Sequence, residues 1–307
     1  MTGERLAAPA GTFEITPRGP YSLAASTKFL EGFSPAAYES GGDSEMLSLA
    51  FVVDGGDDVA GVSLHEEGGV VVGEVFGASD PDIVQRQVAR ILSLDIDGSG
   101  FPAVGERDRV IGDLQRRYPS LRPVCFFSPY EAAAWALIGH RIRIRQAATI
   151  KARMSEQLGT AVSVHGRQEY AFPGPSRLAQ LEEFPGLFGR KVEYLRQLGE
   201  ATLAGELDAT MLRSLPADQA MTRLKRLPGI GDFSAQLILL RGAGNPDSVP
   251  TYEERLRRAV ARAYSLDHLP DTTELIEIAE QWRPYRTWVS LLLRVMLEEE
   301  THEITGS

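Results

Sequence analysis

Leu227-Pro228-Gly229-Ile230-Gly231-Asp232-Phe233-Ser234-Ala235 lies between two segments that both read as helix. Upstream, Ala220, Leu224 and Leu227 recur at helical spacing before Pro228-Gly229 stops the helix. Downstream, Phe233 to Leu240 is apolar enough for a buried helix. Gly229 and Gly231 flank a single apolar residue, so the backbone turns sharply with no Cβ on either side of Ile230. Such a hairpin leaves the amides of Gly231, Asp232 and Phe233 at a helix N-terminus, where amides and helix dipole together suit one phosphate. The alternative is a plain helical corner capped by Asp232 or Ser234.

A chain of 307 residues with 43% hydrophobic and 24% charged residues has the composition of an ordinary water-soluble protein of two or three units. No early apolar stretch of signal-peptide type and no membrane-length apolar run is visible, so a cytoplasmic location is expected. Cys125 is the sole cysteine, which rules out an internal disulfide, a cysteine zinc site and a four-cysteine iron–sulfur cluster. The net charge of −10 argues against a nucleic-acid partner until its distribution is considered. Residues 1–125 hold 10 Lys+Arg against 19 Asp+Glu, whereas residues 126–307 hold 22 against 23. The half that carries the hairpin is therefore near neutral, with room for local basic faces.

In chain order, residues 1–20 read as a lead-in with one strand near Thr12–Ile15, and Tyr21 to Phe33 as a helix. Met46–Val53, Val59–Glu66 and Val70–Phe76 are β-rich runs separated by Gly- and Asp-rich turns, the pattern of an antiparallel meander. Ser79-Asp80-Pro81 starts a helix whose Ile83, Val84, Val88, Ile91 and Leu92 form the stripe that covers the sheet. Beyond Leu94 strand signals largely disappear: a connector to Val124 holds a helix at Asp108–Tyr118, and two helix segments flank Gly139-His140-Arg141. Arg141, Arg143, Arg145, Lys151 and Arg153 place five cations and no carboxylate in thirteen positions, a stripe suited either to a phosphate backbone or to water. A helix follows through Lys191, Leu195 and Leu198. After the hairpin comes the Gly244-Asn245-Pro246-Asp247 turn. Tyr252-Glu253-Glu254 opens the next helix, and first-turn carboxylates of this kind are favoured by the dipole and serve as caps. Asp271–Gln281 and Pro284–Leu297 close the chain through Trp282-Arg283-Pro284-Tyr285-Arg286.

The hairpin, the acidic helix start and the Trp-Arg-Pro-Tyr-Arg join, at this spacing, resemble the helix-hairpin-helix DNA glycosylase superfamily, in particular its alkylpurine branch. The likeness extends over the β-rich N-terminal unit, Ala136–Gly139, the Arg241 to Pro250 loop and Leu256–Ala259. It implies an α+β chain: a small N-terminal antiparallel sheet with helices (residues 1–95), then a two-lobed all-α glycosylase core (96–307). It also implies a DNA repair enzyme that flips a damaged purine out of double-stranded DNA and hydrolyses its N-glycosidic bond. The resemblance places the catalytic carboxylate on Glu253, with Glu254 as fallback. Phe233, Leu237, Tyr252 and Arg294 fall in the base pocket. Gly229, Gly231, Asp232, Ser234, His140, Arg141 and Arg145 fall on the DNA. A monomer is expected, with no membrane association, no required cofactor and no side-chain metal site; hairpin carbonyls are the candidate ligands for a monovalent cation.

The family pattern is broken in three respects: the catalytic carboxylate, the lyase amine, and the pocket with its wedge. The catalytic aspartate is replaced by Glu253, whose extra methylene reaches about 1.5 Å further. Bifunctional relatives carry a Schiff-base lysine two residues after the second hairpin glycine, where this chain has Phe233; no lysine follows Lys225, so monofunctional chemistry is expected. Leu237 and Arg294 stand where aromatic side chains would stack on an electron-poor alkylated base, and an arginine there repels a cationic base unless it turns to solvent or pairs with Glu253. At the wedge, His140-Arg141 replaces glutamine and a gap-filling side chain. A non-catalytic binder of damaged DNA and an interaction protein with a purely structural hairpin remain alternatives.

Overall fold

The apolar runs between Leu47 and Phe76 pair into a sheet with helices on one face, and in β2 and β3 successive residues, Leu49–Val52 and Ala60–Leu64, are buried on both faces. The computed structural model describes residues 8–32 and 46–301, so the first seven lead-in residues and Phe33, the expected last residue of the first helix, lie outside the described residues. Strands β1 (Gly11–Ile15), β2 (Leu47–Val52), β3 (Val59–Glu67) and β4 (Val70–Phe76) form an antiparallel sheet in the order β1-β4-β3-β2. Helix α1 (Leu23–Gly32) packs beside it. Helix α2 (Pro81–Ile91) begins on Asp80, whose side chain accepts the Asp82 amide at 2.9 Å, and it buries Val84, Val88 and Ile91 against Phe51, Val62, Val71 and Val75.

From Leu94 onward the chain builds two further apolar centres. Helices α3 (Pro102–Arg107) and α4 (Arg109–Arg117) come first. An extended stretch then crosses the first unit, Val124 joining the sheet's core and the Cys125 amide donating to Ile91 O at 2.7 Å. Next are α5 (Pro129–Gly139), α6 (Ile144–Leu158), strands β5 (Ala161–Val164) and β6 (Arg167–Tyr170), α7 (Pro175–Ala179), α8 (Lys191–Leu203), α9 (Ala209–Ser214), α10 (Ala217–Leu224) and α11 (Asp232–Leu237). The helices of this stretch share a core around Leu137, Met154, Leu195, Leu224, Ile230 and Leu239. Helices α12 (Glu254–Ala263), α13 (Thr272–Ala279) and α14 (Arg286–Thr301) return to α3 and α4, closing a second lobe over Val104, Ile111, Leu256, Trp282, Trp288 and Leu292. Among the described residues no helix is long and apolar enough to cross a membrane.

Four local readings change. The helical part is not free of strands: β5 and β6 pair as a short hairpin on the sheet, close enough that a Cβ on Gly61 would lie 2.6 Å from Val164 and 2.7 Å from Val162. The connector after Leu94 is half of the second lobe's scaffold. The last helix starts at Arg286 rather than Pro284, and the proline sits outside it. The helix after the hairpin changes to π geometry over Ile238–Gly242, with the Ala243 amide reaching Ile238 O at 2.8 Å.

Buried arginines fasten the units together. Arg122, only 1% exposed, donates to the carbonyls of Pro20 and Ser93 at 2.9 and 3.0 Å and to those of Ile96 and Arg18 at 3.3 and 2.5 Å, with its guanidinium 5.1 Å from the Trp288 ring centre. Arg90 bonds Gly242 O at 2.8 Å, Asp54 at 2.6 Å and Phe127 O at 3.0 Å. Replacing Arg122 by Met keeps the apolar stem but strands several buried carbonyls. Arg122→Met is expected to lower the unfolding free energy by about 3 kcal/mol, seen as a lower urea midpoint at unchanged slope.

Candidate active site and nucleic-acid interface

The hairpin is shaped by one glycine and anchored by one apolar side chain. Gly229 takes φ +82°, and a Cβ there would meet Tyr194 at 2.6 Å and Leu137 at 2.7 Å. Ile230 is buried in the first lobe, and its amide closes the turn on Leu227 O at 3.1 Å. Gly231 differs: its φ is −96°, and a Cβ would touch nothing within the protein. It is the N-cap of α11, and no side chain caps that helix. The amides of Gly231, Asp232 and Phe233 therefore stand at a helix start without the capping partner that Asp232 or Ser234 would have supplied. Asp232 instead pairs with Lys225 at 2.7 Å, and its hydrogen bond and charge raise the Lys225 pKa. Ser234, expected on the DNA surface, is buried at 5% exposure because its side of the helix faces the core. The Leu224 and Leu227 carbonyls already accept amides within the turn, and each keeps a second lone pair that a cation would use.

Gln236 links this helix to the start of α12. Its Nε2 donates to Val249 O at 3.0 Å and to Thr251 Oγ1 at 3.4 Å, while its Oε1 accepts the Tyr252 amide at 3.1 Å. Phe233, one turn earlier on α11, and Tyr252 are each 54% exposed, which corrects the expectation of a helix buried from Phe233 onward. Leu237 is half-buried against the first lobe. Glu253 occupies the N-cap position of α12 yet makes no capping bond with its side chain. That carboxylate is half-buried and ion-paired with Arg294 of α14, whereas Glu254 is exposed in the first helical turn. The loop before α12 is held by Asp247: Arg286 Nε reaches Oδ1 at 2.8 Å, and Arg286 Nη2 and Arg283 Nη1 reach Oδ2 at 3.1 and 3.0 Å. Gln236, Asp247 and Arg286 thus set the distance from carboxylate to hairpin. Spacing shows Asp247 only as a turn residue and Arg286 only as part of the join, and Gln236 not at all, since the partners of Asp247 lie 36 and 39 positions away.

A third element flanks the hairpin. His140 ends α5, Arg141 follows at φ +54°, and Arg141, Arg143 and Arg145 are exposed. Lys151 does not continue this ridge. It is buried and paired with Glu131 at 3.2 Å, because α6 turns that face onto α5. Arg153 lies against the Phe184 ring, 5.8 Å from its centre. Lys191 Nζ donates to Ile138 O at 2.7 Å, which brings a cation close to His140. Burial, then Lys191 and Arg141, depress the His140 pKa below its ordinary 6.5.

An α+β chain with two helical lobes, an uncapped glycine hairpin in the first and a half-buried carboxylate tied to it through Gln236 has the fold of the solved helix-hairpin-helix DNA glycosylases. Within that class it resembles DNA-3-methyladenine glycosylase II. No protein-family model matches the chain. DNA-3-methyladenine glycosylase of Bacillus subtilis strain 168 is 23% identical over 214 residues, covering 68% of this chain and 71% of that protein. DNA-3-methyladenine glycosylase 2 of Escherichia coli K12 is 28% identical over 246 residues, covering 72% and 82%. The solved 3-methyladenine DNA-glycosylase of Archaeoglobus fulgidus superposes with a TM-score of 0.77 at 22% identity, over 94% of this chain and 99% of that one.

The two hairpin glycines should separate in mutagenesis. Gly229→Ala, strained and in collision, is expected to cost about 2 kcal/mol or more, whereas Gly231→Ala should stay within about 1 kcal/mol of wild type; chemical denaturation measures both. The His140 shift has a definite sign as well. The unfolded chain takes up the proton first, so stability present above pH 6.5 is lost as pH falls through the lower native value. His140→Gln should flatten that part of the stability–pH curve.

Proposed function

We propose that this chain is a monofunctional DNA repair glycosylase that hydrolyses the N-glycosidic bond of an alkylated purine flipped out of double-stranded DNA. The observation that carries the reading is Glu253: a half-buried carboxylate that does no capping and is tied through Tyr252 and Gln236 to the hairpin helix. In this reading the amides of Gly231, Asp232 and Phe233 hold one backbone phosphate. The exposed ridge of Arg141, Arg143 and Arg145 follows neighbouring phosphates, with Arg141 and His140 at the gap left by the flipped nucleotide. Phe233 and Tyr252 offer aromatic faces to the base. As the glycosidic bond lengthens, positive charge grows on the sugar; the Glu253 carboxylate stabilises it and orients or deprotonates the attacking water. Arg294 fixes the longer glutamate in one place, which limits the freedom its extra methylene brings. With Phe233 where a lyase amine would stand and no lysine beyond Lys225, the base leaves and water alone takes its place on the sugar.

The same ion pair supports a second reading, a damaged-DNA binder without hydrolysis. A guanidinium in contact with Glu253 weakens the field that the carboxylate would place on the sugar.

Base release from duplex DNA carrying an alkylated purine, assayed with a neutral etheno or O-alkyl adduct as well as a cationic N7-methylguanine, distinguishes the two. Wild type should release base, and Glu253→Gln should be slower by roughly a hundredfold or more, with no borohydride-trapped adduct in either. Equal rates would remove Glu253 from the mechanism. No release from wild type, with salt-dependent binding to an abasic-analogue duplex retained, would favour the binder.

A further inference from the structure

Arg294 is the one charged side chain in the run Thr287–Leu297 of α14, whose Val289, Leu292, Leu293, Met296 and Leu297 are all buried. Its side chain is 19% exposed and that of Glu253 24%, so the pair lies at the edge of the protein interior, where water screens charge only in part. A lone carboxylate in that position would draw in any cation. At contact distances and an intermediate dielectric the attraction is worth on the order of a hundredfold in binding. Paired with a guanidinium, the same carboxylate offers an approaching base a nearly neutral surface with a positive group beside it. What remains to hold the base is the aromatic surface of Phe233 and Tyr252, which stacks on neutral and cationic rings alike, so the guanidinium decides between them.

Resting on the glycosylase reading above, we propose that Arg294 determines the charge specificity of the base site. It selects lesions that are neutral, such as etheno or O-alkyl adducts, over purines made cationic by alkylation at ring nitrogen N3 or N7. Hydrolysis is not needed to test this. Two duplexes of one sequence suffice, one carrying 2′-fluoro-N7-methyldeoxyguanosine, a fixed cation resistant to cleavage, the other its neutral isostere 7-methyl-7-deazadeoxyguanosine. The full-length protein should bind the neutral duplex at least as tightly as the cationic one. Arg294→Gln, which keeps a hydrogen-bond donor for Glu253 but no charge, should move the ratio of the two dissociation constants about tenfold toward the cation. Arg294→Lys should leave it near wild type, which a purely structural role for the side chain would not predict. Arg294→Met serves in place of the glutamine variant if thermal melting shows that variant unfolded. A wild-type preference for the cation, a ratio unmoved by loss of the charge, or binding of both duplexes no tighter than undamaged DNA would each overturn the assignment. A ratio that moves while no alkylated base is ever released would sustain the assignment and sink the hydrolytic reading.

Discussion

The carboxylate of Asp247 is the joint on which the candidate site turns. It accepts from Arg283 and Arg286, and Arg286, with a side chain only 13% exposed, also bonds the Asp247 carbonyl at 2.7 Å. Charge-assisted bonds in this forked arrangement are strong and directional. They tie the loop leaving the first lobe to the start of α14, and the Thr287 amide adds a bond to Pro246 O at 3.0 Å. Only a few residues separate that clamp from Gln236's hold on Val249, Thr251 and Tyr252. The chain from Asp247 to Glu253 is thus fixed at both ends, once to each lobe. A carboxylate carried on this segment keeps its place between lobes without any bond of its own to the hairpin.

That arrangement places a demand on the rest of the fold, because the second lobe is built from pieces on both sides of the first. Helices α3 and α4 precede it and α12 to α14 follow, so the lobes hold their relative position only if the crossing segments are fixed. Buried arginines supply this. Arg122 gathers carbonyls of the lead-in and of the Ser93–Ile96 turn under Trp288, and Arg90 joins the sheet to Phe127 and Gly242. Arg241 reaches back to Val124 O at 2.6 Å. Arginine suits these positions because its planar fork satisfies several carbonyls at once, and each carbonyl would be costly to leave unpaired. The acidic N-terminal unit is thus fastened to the helical lobes by cations.

Much of this was legible in the residues, and the illegible parts share a cause. The meander, the α2 stripe and the glycine hairpin follow from local rules of alternation, helical period and turn chemistry, and they stand where those rules put them. The β5–β6 hairpin escaped because its strands are four residues each and gain their place from Gly61 on another sheet, a contact that no local pattern records. Lys151 read as a surface cation by its neighbours in sequence; only the packing of α6 on α5 reveals Glu131 opposite it. Ser234 and Phe233 exchanged their expected environments for the same reason, since a helix of six residues carries too little periodicity to say which face is inward. The mutual position of Glu253, Gln236 and Asp247 depends on contacts 13 to 39 residues apart, beyond the reach of spacing arguments.

The pairing of Glu253 with Arg294 also changes the meaning of two departures that look independent in the sequence. A glutamate in place of an aspartate reads alone as an overlong carboxylate, and an arginine in place of an aromatic reads alone as a misplaced charge. Joined, each answers the other's defect. The added methylene brings the carboxylate to the guanidinium, and the guanidinium removes the rotational freedom that the methylene introduces. Reverting Arg294 alone to an aromatic would take the guanidinium from the half-buried Glu253 carboxylate, and reverting Glu253 alone to Asp would draw that carboxylate back by one methylene. The site has to be judged with both charges in place, since a carboxylate paired with a cation presents a dipole rather than a free anion.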